Sequence, residues 1–275
     1  MEVRHATAPD QIPGATTEWL RARFLVEDLF SPGEVRLVYS HEDRMVVGGV
    51  TGPAVLPAPD PLRAERFLDR RELGVVNVGG EGEAGEGETG TVTVDGTPYE
   101  LAPKECLYVG RGSREVSFDG GSFYLVSTPA HADHPTAKST LEDAEPVRLG
   151  GSEGSNDRTI YKHIHAKGVR SCQLVLGVTV LEPGSMWNTM PCHTHERRTE
   201  VYFYFGLPED QRVIHLMGRP DETRNLVVAD RQAVISPPWS VHCGFGTRSY
   251  SFVWAMGGEN QAYDDMEQVA IGEMR

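Results

Sequence analysis

Three histidines and one glutamate in the C-terminal half have the residue types and spacing of a metal site. His193 and His195 lie in the stretch PCHTHERRTEVYFYF (residues 191–205), and Glu200 opens its apolar end. Residues i and i+2 of a strand share one face, so the two imidazoles are expected side by side. A short turn brings the carboxylate of Glu200 back beside them, and His242 ends the later turn SPPWSVH. Such a set, with positions left for solvent, suits Zn²⁺, Mn²⁺ or Fe²⁺.

Other histidines and two cysteines offer alternative ligands. His163 and His165 repeat the i, i+2 spacing but no glutamate follows them, which favours a substrate-site or structural pair; His215 is a further candidate. Cys192 and Cys243 adjoin predicted ligands. Strand alternation turns their thiols to the opposite face, so we expect them in the core.

The elements that position these residues are predicted to be short β-strands. The 275 residues include 30 glycines and 18 prolines, and no alternation of strands with helices occurs. This pattern argues against a parallel α/β sheet. An amphipathic helix is predicted over residues 16–30, capped by Thr16 or Thr17, and a hairpin over 35–40 and 44–50.

The predicted fold is all-β, with two antiparallel β-sandwich or barrel halves and a short N-terminal helix. The glycine-rich run 79–90 favours tight β-turns. Polar residues with repeated Pro and Gly over 131–157 indicate a connecting segment between an N-terminal domain, 1–130, and a C-terminal domain, 158–275. Strands of the C-terminal domain are expected near 158–165, 171–182, 200–205, 212–217, 224–229, 232–236 and 249–256.

Charge and composition exclude several classes of partner. The net charge of −14 disfavours binding to nucleic acid or an anionic membrane. The sequence shows no signal peptide and no run of roughly 20 apolar residues. Four scattered cysteines without a CxxC motif do not indicate a disulfide framework. We therefore expect a cytoplasmic protein.

Long segments resemble the 4-deoxy-L-threo-5-hexosulose-uronate ketol-isomerases, also called 5-keto-4-deoxyuronate isomerases, within the cupin superfamily. The resemblance spans nearly the whole chain. It is carried by VYSHEDRMVVGG (38–49), LEPGSMWNTMPCHTHERRTEVYFYF (181–205), HLMG (215–218), AVISPPWSVHCG (233–244) and YSFVWAMGGEN (250–260).

The resemblance implies a bicupin with one Zn²⁺ per chain, held in the C-terminal domain by His193, His195, Glu200 and His242. It also implies a homohexamer. Gly184 lies further from His193 than the general cupin pattern expects. The N-terminal half contains no His-x-His, so we expect it to bind no metal and to supply packing and oligomer contacts.

The implied reaction is the aldose–ketose isomerisation of 5-dehydro-4-deoxy-D-glucuronate to 3-deoxy-D-glycero-2,5-hexodiulosonate during breakdown of pectin or other polyuronides. It needs an electrophile that polarises the carbonyl and a group that moves a proton or permits a hydride shift. Glu200, Lys162 and His165 are the predicted catalytic residues, with Glu196 and Glu259 as alternatives.

The uronate carboxylate needs a cation. Arg170 and Arg197 are the predicted substrate-binding residues, with Arg198 and Lys162 also near the site in sequence. Three other functions stay open for the same ligands: a 5-deoxyglucuronate isomerase of inositol breakdown, an Fe²⁺-dependent cupin dioxygenase, and a sugar-binding sensor without turnover.

Overall fold

A computed structural model describes residues 1–80 and 87–275. This part of the chain contains one α-helix, α1 (Thr17–Phe24), and 24 strands, β1 to β24 in chain order. Four short 3-10 helices are Pro9–Gln11, Asp60–Leu62, Ser152–Gly154 and Ile271–Glu273. The all-β prediction with a short N-terminal helix is therefore confirmed. Half of the run 79–90 in which tight turns are predicted, residues 81–86, lies outside the described residues.

The first half of the chain folds into a seven-stranded sheet stacked on a four-stranded sheet. The large sheet consists of β1 (Glu2–Arg4), β3 (Val35–Ser40), β4 (Val46–Thr51), β6 (Arg71–Asn77), β9 (Cys106–Val109), β11 (Ser122–Pro129) and β12 (Ala137–Ser139), in the order β1-β3-β4-β11-β6-β9-β12. The small sheet consists of β5 (Ala54–Val55), β7 (Gly90–Val94), β8 (Thr97–Leu101) and β10 (Val116–Asp119), in the order β5-β10-β7-β8. The pairing of β3 with β4 is the predicted hairpin.

The second half repeats this architecture. Its large sheet consists of β2 (Leu25–Val26), β13 (Val147–Leu149), β14 (Arg158–Ile164), β15 (Val175–Leu181), β18 (Arg198–Phe205), β21 (Gln232–Ser236) and β23 (Ser251–Gly258), in the order β13-β14-β15-β23-β18-β21-β2. Its small sheet consists of β16 (Trp187–Asn188), β19 (Val213–Arg219), β20 (Glu222–Val228) and β22 (Cys243–Gly246), in the order β16-β22-β19-β20. A separate pair joins β17 (His193–Thr194) to β24 (Glu267–Gln268). Two such halves are consistent with a bicupin.

The N-terminal helix is shorter than predicted. Thr16 caps α1, because its hydroxyl accepts a hydrogen bond from the backbone N–H of Trp19 at 3.2 Å. The helix ends at Phe24, and Leu25 and Val26 instead pair with β21 as a strand. Both side chains are buried. Sheet pairing of these two residues therefore ends the helix well before residue 30, the predicted boundary.

The strands of the two halves do not follow the predicted domain boundaries at 130 and 158. Helix α1 and β2 pack with the second half, although they precede the first half in sequence. The predicted connecting segment, 131–157, contributes β12 to the first large sheet and β13 to the second. Each half therefore takes strands from outside its predicted boundaries.

The two large sheets pack against each other through a shared apolar core. Along β18, Val201, Phe203 and Phe205 face this core, whereas Tyr202 and Tyr204 face the interior of the second half. The interior-facing row also contains Glu200, which therefore points into the second sandwich. Within the described residues, no helix has the length and apolar character needed to cross a lipid bilayer.

Candidate metal centre

The four predicted metal ligands converge at one buried point of the second half. His193 begins β17, His195 follows it, Glu200 lies on β18, and His242 immediately precedes β22. One ligand atom from each side chain lies within 4.8 Å of all the others. The i, i+2 spacing and the antiparallel return of β18 thus bring together the residues that the sequence pattern singled out.

The spacing of the four ligand atoms fits a single ion. Glu200 Oε2 lies 2.8 Å from His195 Nε2, 2.7 Å from His242 Nε2 and 3.8 Å from His193 Nε2. His193 Nε2 lies 3.1 Å from His195 Nε2 and 3.0 Å from His242 Nε2. Ligands bound at about 2.1 Å from one ion are separated by about 3.0 Å in octahedral and about 3.4 Å in tetrahedral geometry.

Backbone carbonyls fix the proton on two of the imidazoles. His195 Nδ1 lies 2.8 Å from the carbonyl oxygen of Asp265, and His242 Nδ1 lies 3.2 Å from that of Ser240. A carbonyl can only accept, so each Nδ1 carries the hydrogen and each neutral ring presents the lone pair of Nε2. These lone pairs and the carboxylate of Glu200 would repel one another without a cation between them. The donor set therefore fits a divalent ion.

Burial and mutual contact shift the pKa values of two of the ligands, His193 and Glu200, in the direction that metal binding needs. Burial, reinforced by His242, lowers the pKa of His193 to about 4, which keeps its imidazole neutral at physiological pH. Burial by itself raises the pKa of Glu200, but the three neighbouring imidazoles, His242 foremost, outweigh it and hold that pKa well below its usual range. At physiological pH the His193 imidazole is therefore neutral and the Glu200 carboxylate is ionised, as metal ligands must be.

The ligand cluster opens into a cavity of about 340 Å³. Apolar walls come from Ile160, Phe252, Trp254 and Met256, and polar groups come from Thr179, Thr189, Tyr202, Tyr263 and Gln268. This volume is at the lower end of the range for small-molecule pockets. The cavity is large enough for a six-carbon acid beside the ligand cluster.

Among the described residues, Arg158 is the arginine or lysine that lines this cavity, and no sequence motif indicated it. It begins β14, and its Nη1 donates to the carbonyl oxygen of Asn156 at 2.9 Å. No described carboxylate lies within ion-pair distance of its guanidinium. The sequence gives little indication that Arg158 lies near the ligand cluster, because it is 35 residues from His193. The pairing of β14 with β15 brings it to the cavity.

The other predicted catalytic residues lie outside the cavity. Lys162 and His165 line a neighbouring groove, and Lys162 Nζ stands 4.5 Å from the centre of the Tyr263 ring, which forms the wall between the two. Of the predicted catalytic residues, only Glu200 therefore lines the cavity. Of the alternatives, Glu196 and Glu259 are exposed.

The predicted substrate-binding arginines are also elsewhere. Arg170 is exposed and lines none of the described cavities. Half of the Arg197 side chain is exposed, and it pairs with Asp265 at 3.2 Å and with Glu259 at 3.6 Å. The structure thus does not bring Arg170 or Arg197 to the ligand cluster.

The remaining candidate ligands are buried at other positions. His163 Nδ1 lies 2.8 Å from the Ser139 hydroxyl, and His215 Nδ1 lies 2.8 Å from that of Tyr204. Cys192 and Cys243 occupy a small apolar cluster with Val241 and Val269. Neither histidine nor either cysteine is among the converging ligands.

A C-terminal segment closes the site and was not anticipated from the sequence. After β23 ends at Gly258, the chain returns so that Gln268 of β24 pairs with His193 of β17. Met266 and Gln268 line the cavity, and the carbonyl of Asp265 contacts His195. Its residues show no strong apolar periodicity, so no sequence signal marked it.

Comparison with known proteins assigns the chain to a family. The family model described as KduI/IolB matches residues 24–271. The chain is 53% identical to a 4-deoxy-L-threo-5-hexosulose-uronate ketol-isomerase of Kineococcus radiotolerans and 50% identical to one of Halalkalibacterium halodurans. Both matches cover 100% of each chain. The chain belongs to the KduI/IolB family.

The fold of this chain is also similar to that of a solved IolB-like protein. A solved IolB-like protein of Salmonella typhimurium superposes with a TM-score of 0.69, at 13% identity, over 90% of this chain and 97% of that one. At this identity the likeness concerns the fold alone. This chain and that protein therefore share a fold.

Proposed function

We propose that this family member is a metal-dependent ketol-isomerase that converts 5-dehydro-4-deoxy-D-glucuronate to 3-deoxy-D-glycero-2,5-hexodiulosonate in the breakdown of pectin or other polyuronides. The observation that carries the proposal is that one cavity holds both a divalent-cation ligand set and the guanidinium of Arg158. The substrate needs both features, because it carries a reacting carbonyl at one end and a carboxylate at the other. Full-length relatives named as this isomerase support the same conclusion.

His193, His195, Glu200 and His242 are the proposed ligands of one Zn²⁺ per chain, with Mn²⁺ and Fe²⁺ as alternatives. When bound, such an ion would polarise the substrate carbonyl and the adjacent hydroxyl. The apolar walls of the cavity limit access of water to these atoms and strengthen the electrostatic interactions inside it. The carbonyls of Asp265 and Ser240 hold two of the imidazole rings in the orientation that binding requires.

Arg158 is proposed to bind the substrate carboxylate. Its planar guanidinium can donate two parallel hydrogen bonds to a carboxylate. Because Arg158 and the ligand cluster share a cavity, this contact fixes which end of the substrate faces the cluster. The carbonyl and its neighbouring hydroxyl then lie beside Glu200.

Glu200 is proposed to move the proton. Its contacts with the imidazoles all use Oε2, which leaves Oε1 to accept the proton from C2 of the aldose and return it to C1. The hydroxyl proton on O2 passes to O1, so the carbonyl moves from C1 to C2 and all atoms balance. Lys162 and His165 face the neighbouring groove and are not needed for this step.

The two halves are proposed to have different roles. Among the described residues, the four-residue cluster in the C-terminal domain is the one group of His, Cys, Asp and Glu placed to share an ion. We therefore assign metal binding to residues 158–275, which include the segment after Gly258. We assign packing to residues 1–130. The family resemblance further suggests a homohexamer, which light scattering of the purified protein would test.

The proposed reaction can be tested by NMR. Purified protein loaded with Zn²⁺ should shift the carbonyl signal of 5-dehydro-4-deoxy-D-glucuronate from C1 to C2 without consuming oxygen. Parallel incubation with 5-deoxyglucuronate tests the other isomerase. Turnover of that acid alone, or activity that requires oxygen and iron, would reject the proposal.

A further inference from the structure

Arg198 is buried although a solvated turn precedes it. Its side chain is 0% exposed, whereas half of the neighbouring Arg197 side chain lies in solvent. A guanidinium keeps its charge at all accessible pH values, so burial requires hydrogen-bond acceptors. No described carboxylate is within ion-pair distance of Arg198. Its acceptors must therefore be sought elsewhere.

The acceptors of Arg198 lie in the C-terminal segment that closes the cavity, and apart from a weak contact of Nη1 with Asn260 Oδ1 at 3.5 Å they are backbone carbonyls. Nη1 donates to the oxygen of Ala262 at 2.6 Å, and Nη2 donates to that of Asp265 at 3.1 Å and, more weakly, to that of Tyr263 at 3.5 Å. The Asp265 oxygen is the same atom that accepts from His195 Nδ1 at 2.8 Å. One carbonyl, with two lone pairs, thus joins a metal-ligand imidazole to a buried cation.

We propose that Arg198 is a positioning residue for the metal centre. By holding the Asp265 carbonyl in place, it fixes the tautomer and the ring orientation of His195. By holding the backbone at Ala262 and Tyr263, it sets the Tyr263 wall between the cavity and the neighbouring groove. The inference rests on the proposed function, because it requires a metal ion at the four ligands.

Arg198 differs from the other contacts that hold the segment because it alone, among the described side chains outside the segment, donates to several of its carbonyls. Sheet pairing anchors the segment at Gly258 and at β24. Between these anchors, Arg197 pairs with the Asp265 carboxylate at 3.2 Å and the Gln261 amide donates to the Ser171 carbonyl at 3.0 Å, but neither contact holds the Asp265 carbonyl. The planar guanidinium of Arg198 has several N–H donors and can therefore reach the carbonyls of both Ala262 and Asp265. The single ammonium group of a lysine would replace at most one of these hydrogen bonds.

The test measures metal affinity rather than activity. Arg198→Met and Arg198→Lys are compared with the wild-type protein by competition for Zn²⁺ against a chromogenic chelator. Loss of a partner that orients a ligand lowers metal affinity by about 10- to 100-fold. We expect a loss of this size for Arg198→Met and a smaller loss for Arg198→Lys.

Arg231→Met is the matched control. Arg231 is a buried arginine at the opposite end of β18, where its backbone N–H bonds to Tyr204 and its Nη2 donates to the carbonyl of Gly79 at 2.6 Å. This variant should lose stability but keep its Zn²⁺ affinity within about twofold. If Arg198→Met binds Zn²⁺ as tightly as the wild-type protein, Arg198 is only structural and the inference is wrong.

Hydrogen exchange provides a second readout that needs no variant. In the wild-type protein, Zn²⁺ should slow exchange of the amides of 260–268, because the ion fixes His195 and thereby the Asp265 carbonyl. Equal exchange with and without Zn²⁺ would overturn the inference. This result does not depend on whether Arg198→Met folds, because only the wild-type protein is measured. A wild-type protein that binds no Zn²⁺ would overturn the proposed metal function as well, so the two failures are distinguishable.

Discussion

At the residue scale, the substrate-binding assignment depends on Arg158, the one guanidinium in the described part of the chain that lines the cavity. The chain has a net charge of −14, so a carboxylate substrate is attracted only where a cation is placed locally. Arg158 supplies that cation with no competing carboxylate in the described residues. Its assignment replaces the predicted roles of Arg170 and Arg197 and can be tested directly.

Arg158→Met should raise KM for the uronate by about 30-fold, because a hydrogen-bonded charge pair contributes about 2 kcal/mol. Its kcat should change less, since the ligand cluster is untouched. Steady-state kinetics of Arg158→Met and Arg170→Met decide between the two arginines. A large KM effect in Arg170→Met, with none in Arg158→Met, would favour the original prediction.

A second residue-scale prediction concerns pH and His163. Burial lowers the pKa of this histidine to about 4, whereas in the unfolded chain it is about 6.5. The unfolded state therefore takes up the proton first, so stability is fully present above about pH 6.5 and falls as pH drops toward 4. His163→Gln should reduce the loss of unfolding free energy between pH 7 and pH 5 by about 2 kcal/mol.

Urea unfolding of both proteins at the two pH values measures this difference. Only the change with pH is compared, since the substitution itself alters the contact with Ser139. Identical pH dependence in the wild-type protein and in His163→Gln would show that His163 is not held neutral in the folded state.

At the element scale, strand alternation explains what the sequence could and could not predict. The alternation of β18, with Glu200 facing the interior and Val201 facing the other half, was predictable from a period of two. The same reasoning does not extend to His163 and His165, because β14 ends at Ile164 and a register shift between Lys162 and Ile164 interrupts its alternation. Lys162 and His165 line the neighbouring groove, and local spacing could not indicate this. The contribution of Arg158 depended on long-range sheet pairing.

The C-terminal segment is the element that no local pattern indicated. It turns back at Gly258, where φ is +156° and an added Cβ would lie 2.6 Å from Cβ of Arg198. Backbone contact this close needs a residue without a side chain. Its position follows from tertiary packing and not from propensity, which is why sequence reasoning missed it.

Gly258→Ala should lower the free energy of unfolding by about 2 kcal/mol, because overpacking at a fixed backbone typically has this effect. Gly272→Ala is the control, since an added Cβ there meets no atom within 4 Å. Chemical denaturation of both variants measures the difference. Equal stability of the two variants would contradict the described turn.

At the scale of the whole molecule, one buried carboxylate joins the two halves. Glu72 on β6 is fully buried and accepts hydrogen bonds from the backbone N–H groups of Cys172, Gln173 and Leu174 in the second half, at 2.7–2.9 Å. Within the first half it also accepts from the hydroxyls of Tyr108 and Thr128. Five donors thus face the two oxygens of one side chain.

Glu72→Gln should destabilise the protein by about 3 kcal/mol, because an amide nitrogen would then face donors in a buried site. Glu100→Gln, at an exposed position, should change stability by less than about 0.5 kcal/mol. Thermal and urea unfolding check both values. A Glu72→Gln protein as stable as the control would mean that this contact does not hold the halves together.

The general architecture was accessible from the sequence, but the assembly of the halves was not. Short strands and frequent Gly and Pro predicted two β-sandwiches, and the histidine and glutamate spacing predicted the ligand cluster. Strand β2 precedes the first half in the sequence but pairs with β21 in the large sheet of the second half. Local sequence patterns carry no information about such a long-range pairing.

The central claim is that one divalent ion at His193, His195, Glu200 and His242 enables the isomerisation. The most direct measurement is the isomerase activity of metal-free protein titrated with Zn²⁺. Activity should rise in proportion to bound metal and saturate at about one ion per chain. His242→Ala, folded but unable to retain the ion, should stay inactive throughout. Full activity in protein shown to contain no metal would contradict the account.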